Sequence, residues 1–135
     1  MNLTLRKKNI QNHFDSLSST RNSWIKRNKY FYKENEKYFQ FLIGKNKKVL
    51  ELGCGTGQLL NALNPSYGVG VDLSKKTVEI AKNEYPELVF MHGDLEDINF
   101  ISSIDGTFDY IILSDTLGYL DDCQDAFLNL HSLCN

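Results

Sequence analysis

The stretch Val49-Leu50-Glu51-Leu52-Gly53-Cys54-Gly55-Thr56-Gly57 decides the fold. A short apolar run ends in three glycines at alternate positions, and a helical segment, Gln58 to Leu63, follows. An α/β sheet builds a ligand loop this way, at the carboxyl end of a strand. Glycine permits positive φ and lets a ligand come close to the backbone. Each glycine also costs roughly 0.5–1 kcal/mol against alanine in regular structure, so three of them argue for a ligand to admit. A dinucleotide site wants G-x-G-x-x-G/A, with the pyrophosphate on the helix N-terminus. Counted from Gly53, the last position of that fingerprint falls on Gln58. The pattern here is E-x-G-x-G-x-G.

Downstream, apolar strands alternate with helices. Lys48 to Leu52, Tyr67 to Val71, Leu88 to Met91 and Phe108 to Leu113 read as strands. Gln58 to Leu63, Ser74 to Asn83 and Asp121 to Leu133 read as helices. Such alternation means right-handed βαβ units and a parallel sheet. Upstream, Asn22 to Ile43 reads as one helix. Trp24, Phe31, Tyr38 and Leu42 form an aromatic stripe on one face, and Gly44 stops the helix. Ser16 to Thr20 reads as a polar loop. The composition break at Gly44–Lys48 divides a basic helical segment, 1–44, from an α/β domain, 45–135.

Two strands end on acids. Asp72 lies 19 residues after Gly53, where a carboxylate can accept both hydroxyls of a ribose. Gly93-Asp94-Leu95 closes the third strand.

The E-x-G-x-G-x-G loop resembles motif I of class I methyltransferases. The resemblance implies a Rossmann-like, doubly wound sheet and S-adenosylmethionine as cofactor, with its methionine end on Glu51, Gly53, Cys54, Gly55 and Gly57. It implies that Asp94 accepts from the adenine amine, that Leu73 and Leu95 sandwich the adenine, and that the Ser114 carbonyl meets the methionine ammonium. Ser114-Asp115-Thr116-Leu117-Gly118-Tyr119 lacks the prolines of base-modifying methyltransferases, so the text looks more like enzymes acting on small molecules. Phe14-Asp15 and Arg27 to Tyr32 resemble the N-terminal cover of some bacterial members. Asp115, Tyr119 and His131 are candidate bases by position only, and no catalytic residue is assigned. The family's complete domain has strand order 3-2-1-4-5-7-6. The expectation here is a truncated sheet, 3-2-1-4, with an open edge at 108–113 that invites self-association or a C-terminal half. A non-catalytic cofactor-binding remnant or partner subunit stays open as an alternative.

Charge and cysteines bound the partners. Residues 1–48 hold 12 Lys/Arg against 3 Asp/Glu, while residues 49–135 hold 3 against 14. The basic residues are scattered, which favours a solvated helix docked on the acidic body over a nucleic-acid or membrane partner. Three cysteines without a CxxC pair point to a reducing cytoplasm and to no metal site.

Overall fold

The computed structural model describes all of residues 1–135. Lys48–Leu52 (β1), Tyr67–Asp72 (β2), Val89–His92 (β3) and Tyr110–Ile112 (β4) form one parallel sheet in the order β3-β2-β1-β4. The strands are apolar on both faces because helices cover both. Leu50, Leu52, Val69 and Val71 face one way. They pack under Ile98–Ser102 (α6) and Cys123–Asn129 (α7), through Ile101, Ala126 and Leu130. Val49 faces the other way, into a second cluster with Leu59 and Leu60 of Gln58–Ala62 (α4) and Val78 and Ala81 of Lys75–Glu84 (α5). Lys29–Ile43 (α3) joins that second layer through Ile43 and Phe39. No helix is long and apolar enough to cross a membrane. No three His, Cys, Asp or Glu side chains converge as metal ligands. All three cysteines are free thiols.

The N-terminal segment departs from the sequence reading in three ways. Leu5–Leu17 is a helix (α1), capped by the Thr4 hydroxyl. Ser18–Thr20 is a 3₁₀ turn rather than a loop. The expected helix from Asn22 is two helices, Arg21–Arg27 (α2) and α3, broken at Asn28 (φ −107°, ψ 29°). The stripe of Trp24, Phe31, Tyr38 and Leu42 is about half exposed or more, while Ile25, Tyr32, Phe39 and Ile43 turn inward. Gly44 ends α3 with φ 76°, as expected.

The sheet edge also differs from expectation. Phe108 is not free: it donates to the Leu133 carbonyl (2.7 Å) and accepts from Asn135 N–H (3.0 Å), a parallel bridge to Cys134. Asp109 N–H turns the other way, to the Lys48 carbonyl of β1. By the alternation of a parallel ladder, Tyr110 and Ile112 therefore face the open side.

Gly70 in β2 sits where Phe90 of β3 and Cys54 cross. A Cβ there would lie 2.7 Å from the Phe90 ring and 2.9 Å from the Cys54 sulfur. Overpacking of this kind costs about 1–3 kcal/mol. Gly70→Ala is expected to lower the urea midpoint accordingly. Gly118→Ala, with nothing within 4 Å, should leave it within about 0.5 kcal/mol of the parent.

Candidate functional site

The carboxyl ends of the strands open into a cavity of about 300 Å³, at the small end for a small-molecule site. The loop after β1 forms its floor. Gly53, Gly55 and Gly57 all take positive φ (76°, 56° and 90°). They are not equivalent. A Cβ on Gly53 would collide with Thr116, and one on Gly57 with the Phe90 ring, so these two serve packing. In front of Gly55 the space is open.

Asp72 fixes this loop. Its Oδ2 accepts from Gly55 N–H (2.9 Å) and its Oδ1 from Ser74 N–H (2.9 Å). Ser74, not Asp72, caps α5, through its hydroxyl on Thr77 N–H. Burial raises the Asp72 pKa above the ordinary carboxylate range, against the pull of these two amides and of the Arg21 and His92 charges.

Glu51 is buried beneath the loop. Burial pushes its pKa up to about 8, although it accepts a hydrogen bond from the Leu60 backbone and is further raised by the Asp72 charge. Its Oε2 has no hydrogen-bond partner, and the residue lines the cavity. A buried carboxylate oxygen without a donor is costly. Burial likewise pushes the Cys54 thiol well up, and its side chain belongs to the α4–α5 core.

Seven of the ten residues singled out in the sequence line the cavity: Glu51, Gly53, Cys54, Gly55, Asp72, Leu73 and Ser114. Gly57, Asp94 and Leu95 do not. Leu95 is buried in the α6–α7 core. The Ser114 carbonyl accepts from the Thr116 hydroxyl (3.0 Å). Of the three candidate bases, Asp115 and Tyr119 line the cavity, and Asp115 holds φ 53°. His131 lies beyond α7 in a 3₁₀ turn, away from the cavity.

Asp94 faces α1. Lys7 of α1 is buried, and its ammonium reaches both Asp94 oxygens (2.8 and 2.6 Å) and Glu96 Oε2 (2.6 Å). Burial pulls the pKa of the ammonium down, but its hydrogen bonds to these carboxylates and their charges outweigh that and hold the Lys7 pKa above its usual value.

The sequence reading missed most of the roof. Ile10, Phe14, Leu17, Arg21, Ile25, Tyr32 and Glu36 close the cavity from above. Arg21 carries the roof's cation, with Nη2 4.0 Å from where a Gly55 Cβ would stand and the guanidinium 5.9 Å from the Tyr32 ring centre. Asn22 pins α2 to the loop, accepting from Thr56 Oγ1 (3.0 Å) and Gln58 Nε2 (2.7 Å). Only the partial likeness of Phe14-Asp15 and Arg27 to Tyr32 signalled this cover.

A family model described as "methyltransferase domain" matches residues 49–135. The putative methyltransferase 235L of Invertebrate iridescent virus 6 is 24% identical over 116 residues, 82% of this chain and 42% of that protein. A malonyl-[acyl-carrier protein] O-methyltransferase of Halalkalibacterium halodurans is 29% identical over 93 residues, 64% of this chain and 34% of that one. The chain thus spans about two fifths or less of these relatives' length. Among solved structures, magnesium protoporphyrin IX methyltransferase from Synechocystis PCC 6803 with bound SAM superposes with a TM-score of 0.75. That match has 21% identity over all of this chain and 75% of the other.

The raised Glu51 pKa has a testable consequence. A free carboxyl titrates near 4.5 and the folded one near 8, so between those values the folded chain holds the extra proton. Glu51 therefore makes stability fall as pH rises from about 5 to about 8. Glu51→Gln is expected to remove that fall and to exceed the parent at pH 8.5 by on the order of a few kcal/mol. Urea midpoints at pH 5.5 and 8.5 measure it. Equal pH slopes in both proteins would contradict it.

Proposed function

The chain belongs to the methyltransferase-domain family, and from that premise we propose that it binds S-adenosylmethionine for methyl transfer to a small molecule. The observation that carries this reading is the orphaned Glu51 Oε2, on a residue that lines the same cavity as Gly55 and Arg21. A ligand with an ammonium group supplies the missing donor there. The residues present fit the rest of the cofactor by chemistry. Arg21 would take the amino-acid carboxylate, and the free lone pairs of Asp72 would take ribose hydroxyls. Leu73 would lie against the adenine, and the Ser114 carbonyl would face the ammonium. We read residues 1–44 as a cover and 45–135 as the cofactor-binding unit.

When bound, the cofactor supplies an electrophilic methyl group that an acceptor atom displaces in line. The protein's part is to position the two reactants and exclude water. Phe14, Tyr32 and Tyr119 give the cavity an apolar wall for that purpose. Asp115, with its carboxylate at the cavity mouth, is placed to orient an acceptor; no proton acceptor is assigned.

The reading is tested by calorimetric titration with S-adenosylhomocysteine and with NAD. Binding of the first and not of the second is expected; tighter NAD binding would overturn it. Asp72→Asn should weaken S-adenosylhomocysteine binding about 10- to 100-fold, since a hydrogen bond to a charged group is worth roughly 1.5–3 kcal/mol. Unchanged affinity would remove Asp72 from the site.

The open side of β4 supports a further part of the proposal, that another strand pairs there, from a second copy or from a C-terminal half. Such an edge offers free N–H and C=O groups. Tyr110→Pro deletes a donor on the open side without touching a bond to β1, as edge strands tolerate. Light scattering at micromolar concentration should show self-association in the parent and less in the variant. Equal masses in both would exclude this edge as the contact.

A further inference from the structure

The first turns of α1 are tied to the loops that follow β3 and β4, and the ties are ionic. Lys7 bridges Asp94 and Glu96, with Asp121 4.0 Å away. Arg6 donates to the Gly118 and Tyr119 carbonyls (3.0 Å each) and to Asp121 Oδ1 (2.8 Å). Thr4 donates to Asp121 Oδ2 (3.1 Å). The Glu96 carboxylate in turn accepts from Asp121 and Asp122 N–H. Apolar burial contributes little to the hold, since Lys7 is the one buried residue of α1. Ile10, Phe14 and Leu17 instead face the cavity.

These ties take three of the roughly four acceptor sites of the Asp94 carboxylate. Lys7 donates to both of its oxygens and Glu96 N–H donates to Oδ1 (3.0 Å). An amine on a purine needs those same oxygens, and an ammonium 2.6 Å from one of them stands in its place. The cavity accordingly stops short of Asp94 and Leu95.

We infer that α1 is a self-bound lid and Lys7 its latch, holding the carboxylate that the adenine end of the cofactor must win from it. The inference rests on the cofactor reading above, extended by the adenine contact that the class I resemblance implies for Asp94. In the resting chain the site is open at the amino-acid and ribose ends and shut at the base. Binding of a full nucleoside ligand displaces Lys7 from Asp94 and frees the first turns of α1, with the Ser18–Thr20 turn as the joint to α2. Closure then taxes affinity by the fraction of molecules in the open form.

The test is S-adenosylhomocysteine titration of the parent, Lys7→Met and Arg6→Met, with amide hydrogen exchange read along α1. Arg6 is half exposed and outside the cavity, so Arg6→Met loosens the lid even if loss of Lys7 impairs folding. Affinity is expected to rise at least threefold in Lys7→Met and at least twofold in Arg6→Met. In the parent, ligand should speed exchange over the first turns of α1. Parent binding with no gain in either variant, and α1 protected by ligand, would make Lys7 part of a fixed roof and overturn the latch alone. If no form binds S-adenosylhomocysteine, the cofactor reading itself fails and takes the latch with it.

Discussion

The site hangs on one half-buried carboxylate. Asp72, at the end of β2, holds the loop of β1 by Gly55 N–H and the start of α5 by Ser74 N–H. Taking a carboxylate out of water is expensive, and backbone donors on both oxygens offset much of that cost. The geometry that results is not one most residues adopt. With its amide turned to Asp72, Gly55 sits at φ 56°. A β-branched residue there would be strained whatever the space. The same arrangement frees Ser74 to cap α5 and to donate to Asp15 of α1 (2.5 Å). The carboxylate thus organises β1, β2, α5 and the roof at once.

The roof is built differently from the floor. The sheet and its two flanking layers are held by buried aliphatic side chains. The contacts from α1 and α2 to the loops are largely polar: Lys7 to Asp94, Gln11 to the Leu73 carbonyl (2.9 Å), Asp15 to Ser74, Asn22 to Thr56 and Gln58. Segments with few buried apolar contacts open at lower cost than the core. A floor fixed by packing beneath a roof fixed by exchangeable polar ties is an arrangement in which ligands can enter without unfolding the sheet. The charges agree with this. Arg6 and Lys7 of the basic N-terminal segment meet acidic loops, so a part of the asymmetry seen in the sequence is paired within the chain.

What the sequence made legible follows from what is buried. Val49–Leu52 and Tyr67–Val71 are apolar because both faces are covered; the βαβ alternation gave a parallel sheet, and the strand order came with the resemblance to class I methyltransferases. The positive φ of Gly53, Gly55 and Gly57 was legible too, because glycine takes that conformation without strain. α1 was not. Its inner face carries Ile10, Phe14 and Leu17 at i, i+4 and i+7, but its one buried residue, a turn earlier, is a lysine, and the basic, polar run around them masks so short a stripe. In α3 the reading found one of two stripes, the exposed one. Phe31, Tyr38 and Leu42 share one flank, and Tyr32, Phe39 and Ile43 recur at the same spacing one residue on. With apolar residues on both sides of the helix, periodicity alone cannot say which side is inner. Lys7 against Asp94 was beyond reach for another reason, since the two are 87 positions apart.

The exposed stripe and the open edge are related. Gln40 donates to the Ala62 carbonyl (2.8 Å), which fixes the flank of α3 that faces α4. At 100° per residue, Phe31, Tyr38 and Leu42 fall on the opposite flank. α4 links β1 to β2 by a right-handed crossover and lies over those two strands. α3 is next to it on the side away from α5, with Ile43 in the same cluster as Ile112 of β4. The free flank of α3 therefore looks past β4, toward the side on which Tyr110 and Ile112 present unpaired backbone groups. Exposed aromatic side chains grouped in this way mark a surface meant for covering. One added strand paired to β4 would satisfy the backbone of the edge. The apolar face of that strand would then lie beneath Phe31, Tyr38 and Leu42. A partner that only capped the stripe would leave the ladder unsatisfied, and a flat strand with no apolar face would leave the stripe wet. An added strand of the kind proposed above would meet both features only if it carried an apolar face.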